Sequence, residues 1–140
     1  MRAGQRLFVS AGMAVILLAA AVPLAGACRP GVERRKLDQA ALQNVQKTKV
    51  NSGKEMWRLE ASQVAAREAA ALDPGYKGAP EKASVRPIRG DDRTQVFQYS
   101  STSGSMLELT LKKPEWLLPY AGIYKLEMWV VADVKTTCGK

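Results

Sequence analysis

The chain has 140 residues with 21 basic, 13 acidic and no histidine, for a formal charge of +8 at pH 7. That length holds one small domain with a leader or arm and no more. The lack of histidine removes the commonest general base and metal ligand, and two cysteines alone make a metal site improbable.

Arg2 and Arg6 give a positive start, and Leu7 to Ala27 follows without a charge. Small residues then lead into Cys28. A basic stretch, an apolar stretch and a small-residue boundary are the layout of a bacterial export signal, which assigns residues 1–27 to a signal peptide. The segment Leu24-Ala25-Gly26-Ala27-Cys28 resembles the lipobox of bacterial lipoproteins. That resemblance implies a diacylglyceryl group on the Cys28 sulfur, cleavage just before Cys28, and a lipid anchor in the membrane. Two other outcomes stay open. Ala25-Gly26-Ala27 is also an A-x-A site for ordinary signal peptidase, which would free a soluble secreted domain. Left uncleaved, the apolar stretch is long enough to cross a bilayer, although Pro23 and the small residues near its end argue against that.

Residues 28–55 read as a basic tether. Arg29, Arg34, Arg35, Lys36, Lys47, Lys49 and Lys54 outnumber Glu33, Asp38 and Glu55, whereas Glu60 to Lys140 has eleven basic residues against ten acidic and is close to neutral. Held near a membrane, such residues attract anionic headgroups at roughly 1 kcal/mol each, so Arg29, Arg34, Arg35 and Lys36 are candidate lipid contacts. A solvated leader accounts for the same charge. As a flexible chain this arm would reach roughly 30 Å. Nucleic acid is not expected as a partner, because the charge is off the folded part and no binding motif is present. Cys28 and Cys138 lie far apart in sequence. In an oxidising compartment they could bridge, closing a loop worth about 4–5 kcal/mol in the chain-entropy treatment. Lipidation of Cys28 would preclude that bridge.

Further along, Leu37, Ala41 and Val45 make a weak helical pattern that Asn51-Ser52-Gly53 breaks. A domain over 56–140 is expected to open at Met56-Trp57. An alanine-rich helix follows, with Val64, Ala65, Ala69 and Leu72 on one side and Asp73-Pro74-Gly75 as its stop. The remainder reads as β. Ser84 to Ile88 is an edge strand containing Pro87, and Thr94 to Ser100 a second strand. Ser105 to Lys112 puts Leu107, Leu109 and Leu111 on one face, and a last strand is expected from Gly122 onward. The predicted fold is α+β, one helix on a three- or four-stranded antiparallel sheet. The element order is similar to cystatin-like and NTF2-like domains, a likeness that implies no activity.

Catalytic motifs are missing. Ser100, Ser101, Ser103 and Ser105 flank Gly104 as a hairpin tip rather than a nucleophile elbow, and Asp91-Asp92 reads as a solvated turn. No cofactor or metal is expected. The suggestive segment is the connection Trp116-Leu117-Leu118-Pro119-Tyr120, too apolar for a surface loop. It folds over the sheet as a lid, or it offers Trp116, Leu117, Leu118 and Tyr120 to an envelope protein or a membrane. Trp129 joins that contact set if its face of the sheet is open. The expectation is an exported, lipid-anchored envelope protein with a binding or assembly role and no catalysis. A soluble secreted accessory or inhibitor-like domain closed by Cys28–Cys138 is the first alternative. An enzyme built around a pocket of residues scattered in sequence is the second.

Overall fold

A computed structural model describes residues 28–139, so the expected signal peptide at 1–27 lies outside the described residues. The strands are β1 (Gly31–Arg34), β2 (Arg86–Gly90), β3 (Thr94–Ser100), β4 (Met106–Lys112) and β5 (Val130–Thr137). They form one antiparallel five-stranded sheet in the order β1-β5-β4-β3-β2. Two helices pack on it. Helix α1 (Gln39–Val45) runs into a π-helical turn at Gln46–Val50, and α2 (Ala61–Leu72) follows a 3₁₀ turn at Met56–Leu59.

The period-two alternation of β3 and β4 puts Phe97, Tyr99, Leu107, Leu109 and Leu111 under α2. The helix answers with Ala61, Val64, Ala65, Ala66 and Ala69, all buried. Side chains this short let the helix axis lie close to the sheet. Leu109 and Leu111 are fully buried, each worth about 1.5–3 kcal/mol of apolar transfer. A second, smaller core lies on the other face at one end, where Val50, Leu117, Met128 and Val130 meet Leu37, Leu42, Val45, Leu59 and Trp116. Across the rest of that face runs a polar row, with Lys135, Glu108, Gln98 and Arg86 paired across successive strands, beside the apolar Val32, Val96 and Met106.

Three sequence expectations change. The segment 28–55, read as a tether, supplies both β1 and α1. The backbone edge of β5 needs hydrogen-bonding partners, and Gly31–Arg34 provides them antiparallel. Asp38 then caps α1 by accepting from the Ala41 amide at 3.0 Å, and the apolar side of α1 covers Met128 and Val130. The counts therefore rise from one helix to two and from three or four strands to five.

The last strand also starts later, at Val130 instead of Gly122. Gly122 (φ +76°) and Lys125 (φ +55°) take left-handed backbone, which an extended strand cannot contain. Tyr124 and Leu126, expected on a sheet face, are left exposed. A bulge opposite Thr110 and Leu111 then shifts the alternation inside β5. Val131 pairs with Leu111 under α2, but Asp133 pairs with Thr110 on the opposite face.

Candidate functional site

Cys28 and Cys138 are joined, with their Cα atoms 5.8 Å apart, and the bond ties the start of β1 to the end of β5. A sulfur bonded to another sulfur cannot also carry a lipid thioether. The sulfur that the lipobox-like segment assigns to an anchor is thus engaged here by Cys138. A disulfide is the bond of an oxidising, extracytoplasmic compartment.

Beside this bond lies a hollow of about 680 Å³ lined by Cys28, Arg29, Leu72, Asp73, Thr102 and Thr136 among others. Asp73, just past α2, is buried and occupied on every side. It accepts from the Tyr99 hydroxyl at 2.7 Å, the Thr102 hydroxyl at 2.6 Å, the Thr102 amide at 2.9 Å and the Gly75 amide at 3.1 Å. Burial pushes this carboxyl up, but those donors, led by Thr102, outweigh it and hold it at about 2. Burial and the bond to Asp73 push the Tyr99 hydroxyl up to about 12. Near neutral pH Asp73 is thereby held as the carboxylate and Tyr99 as the phenol. The serines at the hairpin tip are self-contained. Ser101 Oγ lies 2.7 Å from Ser105 Oγ and 2.9 Å from Ser103 Oγ, and it also accepts from the Ser105 amide. Asp91 accepts from the Arg93 and Thr94 amides, as a turn residue does. Among the described residues no group of three or more His, Cys, Asp or Glu is placed to hold a metal ion.

No protein-family model matches the chain, and no curated protein or solved structure matches it either.

The apolar connection divides. Leu117 is fully buried in the second core, and Trp116 packs against it. Leu118 is exposed, and Tyr120 is half-buried beneath Lys47, whose Nζ is 5.6 Å from the ring centre. Trp129 is buried under α2, with Lys113 Nζ 4.9 Å from its ring centre, so it offers no open spot. The basic residues also part. Arg34 pairs in register with Asp133 on the polar face of the sheet, whereas Arg35 turns to α2 and binds Glu68 at 3.2 Å and Glu33 at 2.6 Å. Burial opposes the charge on Arg35, but these carboxylates more than compensate and raise its pKa. Arg29 and Lys36 are exposed, at opposite ends of β1. The four residues do not form one basic patch.

Two features had gone unread in the sequence. At the seam between α1 and α2, a hollow of about 460 Å³ is bordered by Arg35, Arg58, Arg67, Trp57 and Trp129. The Arg58 and Arg67 guanidiniums lie 4.5 and 4.4 Å from the Trp57 ring centre. The Arg67 Nε is buried without a hydrogen-bond partner, and the stack on Trp57 is its compensation. This arrangement cements α2 to the 3₁₀ turn before it.

The other feature is an apolar end. Ile123 is 85% exposed and Tyr124 78%, with Met56 and Leu126 about half exposed beside them. Together they border a shallow hollow of about 440 Å³ whose lining has no charged side chain. The turn signal Ala121-Gly122 was the clue in the sequence. Reading Gly122 as the start of a strand hid it, because alternation assigned Tyr124 and Leu126 to a core.

The exposed loop has a firm base. Gln46 is fully buried and donates from Nε2 to the Leu126 carbonyl at 3.0 Å and to Asn51 Oδ1 at 3.0 Å, while its Oε1 accepts from the Met128 amide at 2.9 Å. Asn51 in turn donates to the Tyr120 carbonyl at 2.7 Å. Nearby, Arg93 grips the buried Glu127 through two bonds, at 3.0 and 2.8 Å. Among the described residues no helix is long and apolar enough to cross a membrane.

Proposed function

We propose that this chain is an exported domain that acts by binding at the cell envelope, closed by Cys28–Cys138 and performing no catalysis of its own. The observation that carries this reading is the disulfide, which occupies the only sulfur available for a lipid anchor at the export boundary. Two further observations support a binding role. At the hollow beside the disulfide, Asp73, Tyr99 and Thr102 bond to one another and Ser105 bonds to Ser101, so these groups do not form a free nucleophile and base. The two most exposed large apolar side chains among the described residues, Ile123 and Tyr124, lie together on a braced loop with Leu126 and beside Met56, as on contact surfaces.

The lipid-anchored form is the second reading, favoured by the lipobox-like residues ahead of Cys28. Intact mass of the protein recovered from cells separates the two. The expected species begins after the signal, lacks acyl chains and resists thiol alkylation until reduced. An acylated Cys28 with Cys138 open to alkylation would overturn the disulfide form and restore the anchor. A reduced pair of thiols in a cytoplasmic fraction would sink export altogether.

A further inference from the structure

We infer that the apolar end inserts into the surface of an anionic lipid bilayer, with Ile123, Tyr124, Leu126 and Met56 as the penetrating residues. This names the partner for the binding role proposed above and rests on export to bring the loop to such a surface.

An aliphatic and an aromatic side chain stand outward side by side at the loop tip, more exposed than any other large apolar residues in the described chain. Such a pair costs free energy in water and is stabilised where hydrocarbon meets headgroups. Tyrosine suits that depth because its ring is apolar and its hydroxyl is wet. The collar has the complementary charge. Lys125 sits within the loop, Lys54 lies two residues before Met56, Lys49 adjoins Val50 of the hollow, and Lys47 lies over Tyr120; all four are exposed. Glu55, the acidic residue among them, is already paired with Arg58 at 2.7 Å. Lysine stems can lie along an apolar surface while their ammonium groups reach anionic headgroups.

A second copy of the chain fits less well, since pairing two such ends brings two lysine collars together. The brace matters too. Gln46 and Asn51 hold both sides of the loop, so little order is lost on docking.

The test uses the exported protein with its disulfide intact, and vesicles of equimolar phosphatidylglycerol and phosphatidylcholine or of phosphatidylcholine alone. The protein should sediment with the anionic vesicles and lose that binding as salt rises. The double variant Ile123→Glu/Tyr124→Glu, melting as the parent does, should bind at least about tenfold more weakly. Lys49→Glu/Lys54→Glu should weaken binding to anionic vesicles alone. Tyr124→Trp supplies a local reporter whose emission should shift to the blue and be quenched by brominated acyl chains. Binding unchanged by Ile123→Glu/Tyr124→Glu, or emission from the Tyr124→Trp variant that is indifferent to brominated lipid, would overturn the inference. So would a concentration-dependent dimer that the same double variant abolishes while vesicles are ignored. Failure on vesicles with protein still recovered exported and oxidised removes the membrane partner and leaves the envelope-binding reading standing.

Discussion

Two polar side chains fasten this fold from the inside, and each replaces backbone partners that loops cannot supply. Asp73 ties the end of α2 to β3 and to the β3–β4 hairpin through the four bonds it accepts. Asp73→Asn keeps the shape but turns an amide toward those donors, and should cost about 2–3 kcal/mol in chemical denaturation. The parent's acid sensitivity follows from the same carboxylate. It titrates at about 2 when folded against an ordinary 3.8, so on acidification the unfolded chain takes the proton first. Stability from this group should therefore fall between pH 3.8 and about 2, and that part of the decline should vanish in Asp73→Asn. Melts across that range with both proteins check the sign. Gln46 does the same work at the opposite end. Gln46→Ala leaves the Met128 amide and Leu126 carbonyl unpartnered and opens a cavity, so a loss of about 2–4 kcal/mol is expected, with amide exchange at Met128 speeding first.

Among the elements, α2 is the most constrained, because Ala65 and Ala69 have no accessible surface left against the sheet. Ala65→Leu should destabilise by about 1–3 kcal/mol through overpacking, read as a lower melting temperature, although leucine ranks close behind alanine as a helix former. That helix was legible from its residues: the alanine run and the Asp73-Pro74-Gly75 stop place its end at Leu72. So were β3 and β4, where alternating residues carry the pattern of one buried face. Less could be read where long-range pairing decides. Gly31–Arg34 has no local strand signal and is recruited by the edge of β5, almost a hundred residues on. Alternation through Tyr124, Leu126 and Met128 mimicked a strand, but the left-handed Lys125 interrupts it. The apolar end was missed for that reason, and the lid segment was only half resolved because Leu117 and Leu118 have one character and opposite fates.

On the scale of the whole molecule, β5 separates two ends about 24 Å apart, the disulfide at one and the apolar loop at the other. Cys138→Ser should therefore lower stability by about 2–5 kcal/mol without touching the loop. Denaturant midpoints and vesicle binding measured on the same sample test that independence: stability should drop, and lipid affinity below the transition should not. The order of the sheet carries one more consequence. The shared partner of β1 and β4 is β5, the last of the five strands in sequence, so β2, β3 and β4 can pair as consecutive neighbours first while β1 has no edge to join until β5 is in place. A chain cut short ahead of Val130 would therefore keep a three-stranded β2–β4 array with β1 unpaired and Cys28 without its partner, and the exposed edge of β4 would make it prone to aggregation and proteolysis.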